Sequence, residues 1–327
     1  MSDLSCTYMG LRLKNPIIVS SSRLSYDLEK VKQCEAAGAG AVVLKSLFEE
    51  QIVHDTERMV GDMNFDANTE AYDYLRVSSK DYYLDDYLGL VEEAKKQLSI
   101  PVIASINCVS DGEWIEYAER FEKVGADALE LNVFIIPTDP KTHSETIEQA
   151  YFSILKKIKK RVSIPVSLKL GSHFSGMAKV MSELAFQGAD GLVLFNRFYK
   201  PEIDIENMSI RPAHIYSAPE EMALTLQWIA ILSGKVDADL AANTGVYSGK
   251  DVVRQLLAGA DAVEVCSAFM QNGIEKLGDF LTEIEEGMSR KGCSSIDDFK
   301  GRMSQENLEH PEVYERSQYI KAIVGID

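Results

Sequence analysis

The sequence predicts a (β/α)8 barrel, the TIM-barrel form of the α/β class, built as one domain over residues 1–327. Three observations carry this. A Gly-Ala-[Asp/Gly] step followed by an apolar run recurs at Gly38, Gly125, Gly188 and Gly259, and an internal repeat sets architecture before any single residue is read. Eight short apolar runs alternate with eight helical patterns. The runs are continuously apolar, as strands buried on both faces are.

The strands are placed at 15–20, 41–46, 101–106, 128–133, 165–170, 191–196, 239–243 and 262–267. Glycine in each repeat ends a helix in the left-handed turn and feeds the next strand. Asn15-Pro16, Ile100-Pro101 and Ile164-Pro165 open three of the others, where proline costs no ladder bond. Apolar residues at three-to-four spacing predict helices over Leu28–Ala37, Leu88–Leu98, Trp114–Val124, Thr146–Arg161, Met177–Gln187, Glu220–Leu232, Lys250–Leu257 and Ile274–Arg290. An open doubly wound sheet is the alternative. It calls for a glycine fingerprint after the first strand, and Ser20-Ser21-Ser22 is not one. Insertions are expected after strand two (Phe48–Tyr87, with Tyr72, Tyr74, Tyr82, Tyr83 and Tyr87) and after strand six (Arg197–Pro219). Long connections on the C-terminal side of a barrel serve as lids, substrate loops or subunit contacts. For most of these tyrosines a small satellite core is the expectation. The tail, Cys293–Asp327, reads as polar and mostly helical.

Bulk properties narrow the function. The 327 residues carry 34 basic and 51 acidic side chains, a net charge of −17, which argues against a nucleic-acid surface. Residues 1–10 do not resemble a signal peptide, and no stretch approaches the ~18 apolar residues of a membrane span. Cys6, Cys34, Cys108, Cys266 and Cys293 form no Cys-x-x-Cys pair, so no iron–sulfur cluster or zinc site is expected in the chain. The five histidines show no metal-ligand spacing. Scattered thiols point to the cytoplasm.

Polar residues that close apolar barrel strands face the mouth. They are Ser20–Ser22, Lys45-Ser46, Asn107, Asn132, Lys169, Asn196, Asn243-Thr244-Gly245 and Cys266-Ser267. A lysine in an apolar strand needs an anionic partner or a chemical task. Lys45 and Lys169 therefore either pair with Glu130 or Glu264 or meet a ligand, and Asn132 and Asn196 on the same rim favour a ligand. The ends of strands seven and eight are where barrels commonly hold a phosphate. Ser248 reads equally as a plain helix N-cap. Cys266 reads as a small buried filler before a catalytic thiol, and His173 as a loop histidine within reach of a ligand.

In their order and spacing these segments resemble the dihydroorotate dehydrogenase family of FMN-dependent barrels. The likeness rests on Asn15-Pro16-Ile17-Ile18-Val19-Ser20-Ser21, Gly40–Ser46, Glu130-Leu131-Asn132, Val166–Leu170, Asn196 and Ser295–Gly301, which looks like the family's closing helix. The resemblance implies FMN held by Ser20, Ser21, Lys45, Ser46, Asn132, Lys169 and Asn196. Ser217, Thr244, Gly245, Cys266 and Ser267 would lie at its phosphate or ring edge. Lys169 would sit by the flavin N1/O2 edge, and Lys45, Asn132 and Asn196 would also face the substrate. It further implies oxidation of dihydroorotate to orotate in pyrimidine synthesis, a soluble electron acceptor, a homodimer and no membrane-docking extension. The chain departs from the family after Asn132. The family's cysteine or serine base falls on Ile135, which cannot take a proton, and the asparagine of the loop after strand two has only Asn68 as a candidate. Losing a general base costs ~10²–10⁴ in rate. An FMN-binding paralogue with another substrate is therefore an alternative. A Schiff-base or phosphate-binding lyase using Lys169 is another, since such a lysine needs a depressed pKa.

Overall fold

The structure is a computed structural model that describes residues 2–48, 69–107, 113–197 and 201–315, with side chains from 82 and 115 onward in the helices beginning at Thr69 and Glu113. Among the described residues, eight parallel strands close a barrel. In chain order they are β3 (Ile17–Val19), β4 (Ala41–Val43), β6 (Val102–Asn107), β7 (Ala128–Asn132), β8 (Val166–Leu170), β9 (Gly191–Leu194), β12 (Asp239–Asn243) and β13 (Ala262–Val265). Closure comes from β13 pairing with β3 and from β3 with β4 and β4 with β6. A hairpin of β1 (Cys6–Tyr8) and β2 (Leu11–Leu13) precedes the barrel. The two-residue strand β5 (Leu47–Phe48) rejoins β6 beyond a break at 44–46. A second hairpin, β10 (Pro201–Asp204) and β11 (Ser209–Pro212), leaves after β9.

The repeat has a hydrogen-bond logic. All four of its glycines are left-handed, with φ of 107°, 93°, 100° and 115° at Gly38, Gly125, Gly188 and Gly259, a region that costs glycine little. In three copies the following aspartate accepts an N–H from the first or second residue of the preceding barrel strand and an ammonium. Asp127 takes Val102 N and Lys95, Asp190 takes Val166 N and Lys159, and Asp261 takes Leu240 N and Lys300. The first copy has Gly40 instead, because a Cβ there would lie 2.1 Å from the Asn15 carbonyl oxygen. Asn15 Oδ1 then accepts the Ile17 N–H at 3.0 Å and replaces the missing carboxylate.

Side chains alternate along each strand. Leu129 and Leu131 face the helices, whereas Ala128 packs inside the barrel with Ile18, Val43, Ile103, Val193 and Ala262. The first hairpin plugs this inner core with Tyr8, Met9 and Leu13. The plug needs Gly191, where a Cβ would stand 2.9 Å from both Met9 Sδ and Tyr8 Oη.

Several expectations change. The second helix is Thr69–Gln97, far longer than 88–98, so the second half of the expected insertion is helical. Tyr83 and Tyr87 join the main core, not a satellite one, and Tyr82 is exposed. The side chains of Tyr72 and Tyr74, and Asn68 and Cys108, lie outside the described residues. Strand eight ends at Val265. Cys266 is an N-cap, and Ser267 starts the helix Ser267–Asn272. In the tail, residues 293–312 are turns with one 3-10 turn, Gln305–Asn307, and helix begins only at 313; residues 316–327 lie outside the described residues. In place of the family's closing helix, Asp298 gathers the N–H groups of Ser294 and Ser295 into a turn.

Candidate active site

The inner face becomes polar toward the strand C-termini. Six of the eight barrel strands contribute, at period two: Ser20 after β3, Ser105 in β6, Glu130 and Asn132 in β7, Lys169 in β8, Asn243 in β12 and Glu264 in β13. All of these side chains are buried. Buried polar groups must find partners, and here they find one another across the barrel. Ser21 Oγ accepts the Ser46 N–H at 2.8 Å and lies 3.1 Å from Ser46 Oγ. Ser46 Oγ lies 2.7 Å from Ser105 Oγ, which donates to Glu130 Oε1 at 3.4 Å. On the far side Lys169 Nζ donates to Glu264 Oε2 at 2.6 Å and to Ser20 Oγ at 2.8 Å, and Ser20 Oγ donates to Glu264 Oε2. Glu130 Oε1 is 3.7 Å from Lys169 Nζ, beyond hydrogen-bond distance.

The charges in this layer follow from burial. Burial alone would lower the Lys169 pKa, but the two glutamates and the bond to Glu264 hold it above the ordinary lysine range. Burial pushes the Glu264 carboxyl up, and Lys169 with the surrounding hydrogen bonds pulls it below its usual value. Glu130 is raised well above the carboxylate range by burial and then by the Glu264 charge, with Lys169 opposing. The two carboxyls are thus pushed in opposite directions, Glu264 toward the charged form and Glu130 toward the neutral one. With Glu264 Oε2 2.6 Å from Nζ and its pKa held up, Lys169 is set up as a cation rather than as the neutral amine that a Schiff-base reaction needs, which argues against the lyase alternative.

The expected rim residues are brought together unevenly. Asn132 stands in register with Lys169 on the adjacent strand, and Asn196 Nδ2 donates to Asn132 Oδ1. Lys45 is half-buried in the break between β4 and β5, with its backbone N–H on Ser25 O at 3.0 Å. Across the mouth, Thr244 and Gly245 form a left-handed turn, φ 79° and 77°. Ser217 Oγ accepts the Gly245 N–H at 3.3 Å, and Ser267 Oγ accepts the Ser217 N–H at 3.0 Å. Cys266 is buried enough that its thiol pKa is raised, with Lys169 opposing, so it is not an activated nucleophile. Ser248 does act as an N-cap, its hydroxyl accepting from Asp251 N at 3.2 Å.

The loop after β7 is apolar where the resemblance asks for a base. Ile135 packs on the core and donates its N–H to Tyr151 Oη at 3.0 Å. Tyr151 is itself buried and meets the Phe174 ring edge-on at 5.1 Å. His173 sets its ring against Phe134. The sequence reading missed Ser105 and undervalued Glu130 and Glu264. Their signal was present: a polar residue on the inner face of a wholly buried strand is rarely there without a partner.

The donor set suits a flavin. Lys169 makes two of its three possible hydrogen bonds, Asn132 and Asn196 supply amides, and Ser217, Ser267 and the Thr244–Gly245 turn gather hydroxyls at the side where barrels hold phosphate.

A closed parallel barrel whose polar centre lies at the strand C-termini defines a barrel enzyme. The family profile described as dihydroorotate dehydrogenase matches residues 3–288, and the chain belongs to that family, an oxidoreductase acting on CH–CH bonds. It is 27% identical to the putative dihydroorotate dehydrogenase A (fumarate) of Aeropyrum pernix, over 91% of this chain and 97% of that protein. It is 25% identical to the catalytic subunit of dihydroorotate dehydrogenase B (NAD(+)) of Thermoplasma volcanium, over 92% and 98%. With the chloroplastic dihydropyrimidine dehydrogenase (NADP(+)) of Arabidopsis thaliana the identity is 23%, over 97% and 80%. Among the described residues no helix is long and apolar enough to cross a membrane.

Proposed function

We propose that the chain is a cytoplasmic FMN-dependent oxidoreductase that acts on a CH–CH bond of a small cyclic amide, with dihydroorotate as the first candidate substrate. The observation that carries this is the Asn132–Asn196 amide pair in register with Lys169. Lys169 and Ser20 would hold the pyrimidine edge of the cofactor. Ser21, Lys45 and Ser46 would line its side, and Ser217, Thr244, Gly245, Cys266 and Ser267 would hold its phosphate or ring edge. FMN, when bound, would supply the hydride-accepting chemistry. Asn132 and Asn196 would grip the amide edge of the substrate, and Lys45, which has no ion-pair partner among the described residues, would meet an anionic substituent such as a carboxylate.

Ile135 favours a second reading. An apolar side chain stands where a proton acceptor is expected, and its backbone is fastened to Tyr151. On this reading the cofactor is retained and the substrate differs. Two spectra separate the readings. Purified or FMN-reconstituted protein should show bound flavin absorbance, and a colourless protein sinks both. Anaerobic dihydroorotate should then bleach the flavin, and a flavin that stays oxidised leaves only the second. A soluble electron acceptor and a homodimer complete the proposal. The exposed Ile203, Met208 and Ile210 of the second hairpin support the dimer, and a monomeric mass by sedimentation would remove it.

A further inference from the structure

Lys169 is the cation that the flavin reading puts beside the reduced cofactor, yet the structure surrounds it with two buried carboxyls. Glu264 Oε2 is 2.6 Å from Nζ and Glu130 Oε1 is 3.7 Å away. The three side chains are almost wholly buried. Two carboxyls and one ammonium would leave a net negative charge in the core, which is costly without another cation. Among the described residues Glu130 Oε2 has no hydrogen-bond partner. An unpaired carboxylate oxygen in that position costs far more than a neutral carboxyl group. Ser20 bridges Glu264 and Lys169, so the charge of Lys169 is already met on the Glu264 side.

We propose, on the flavin reading above, that Glu130 and Glu264 share a single negative charge that cancels Lys169, making them positioning residues that keep the potential of the bound flavin low. Lys169 then offers the cofactor a hydrogen-bond donor with little net positive charge behind it. The two glutamates are a coupled pair. If Glu264 alone is replaced, Glu130 stands close enough to ionise in its place.

The test compares flavin-loaded wild type, Glu130→Gln and the double variant Glu130→Gln/Glu264→Gln. Midpoint potential is measured by dye equilibration, and flavin charge environment by the sulfite dissociation constant. Glu130→Gln, which keeps the Lys169–Glu264 pair, should stay within about threefold of wild type in both. The double variant should shift the reduction equilibrium at least tenfold toward the reduced cofactor, about 30 mV for a two-electron couple, and tighten sulfite at least tenfold. A flavin-loaded double variant within threefold of wild type overturns the proposal. Because that variant leaves Lys169 buried and unpaired, infrared spectroscopy gives a second route that needs only wild type and Glu130→Gln. A protonated-carboxyl C=O stretch should be present in the first and lost in the second, and its absence from wild type overturns the shared charge. Wild type that binds no FMN sinks the flavin reading instead, while the infrared band still decides the charge.

Discussion

The Tyr87 hydroxyl fills a gap in the barrel ladder at Ser105. It accepts the Ser105 N–H at 2.9 Å and donates to the Ser105 carbonyl at 3.2 Å. The gap exists because β4 stops at Val43 and β5 resumes at Leu47, and Ser46 gives its N–H to Ser21 Oγ instead of to β6. The break that lets Ser46 turn to Ser21 and Ser105 is thus made tolerable by a tyrosine from the long helix. Tyr87→Phe keeps the ring contact with Phe121 and leaves two buried backbone groups unpaired. It should cost about 2 kcal/mol, read as a lower urea midpoint with an unchanged slope. A variant as stable as wild type would contradict this role.

Glu130 gives a pH signature. Its carboxyl is raised in the folded state by burial and by Glu264, so the folded protein keeps a proton that the unfolded chain releases above about pH 4.5. Stability from this group is therefore greatest at low pH and falls as pH rises above that value. Glu130→Gln removes the dependence. Its urea midpoint should exceed wild type by a margin that widens from pH 5 to pH 8, and a constant or shrinking margin would refute the assignment.

Asn132→Ala and Asn196→Ala each remove half of the amide pair at the mouth. Loss of a substrate hydrogen bond of this kind costs about 10- to 100-fold in kcat/KM. Both variants should retain flavin absorbance, because the remaining ring and phosphate contacts are untouched. Wild-type kcat/KM on a turned-over substrate would move the substrate away from this pair.

Two close approaches of equal chemistry should differ in cost. Gly40→Ala drives a methyl group into the Asn15 backbone carbonyl, whereas Gly191→Ala meets the tip of Met9 and the Tyr8 hydroxyl. Overpacking costs about 1–3 kcal/mol, and more where nothing can yield. Gly40→Ala should be the more damaging by thermal unfolding, and a reversed order would show that Asn15 moves more easily than the hairpin plug.

Legibility in the sequence followed the range of the interactions. The glycine repeat predicted the barrel because a left-handed turn and the strand after it are local. Ser248 was legible as an N-cap for the same reason. The helix from Thr69 was hidden, since its tyrosine-rich first half has no clean apolar stripe and its residues read as an insertion. The tail was misread because Asp298 and Gln305 draw its backbone into turns that periodicity does not report. The rim residues were found from their position at strand ends. Their partners were not, because β7, β8 and β13 meet only when the barrel closes.

By itself the sequence determined the eightfold alternation, the mouth at the strand C-termini and the residue types gathered there. These follow from hydrophobic period and turn chemistry, which act within a few residues along the chain. Only the tertiary structure decided which side chains share a charge. Lys169 could equally have met a ligand's anion or a glutamate, and closure of the barrel set it 2.6 Å from Glu264. In a buried layer with two carboxyls and one ammonium, electrostatics depend on distances between strands far apart in sequence, and no local pattern encodes those.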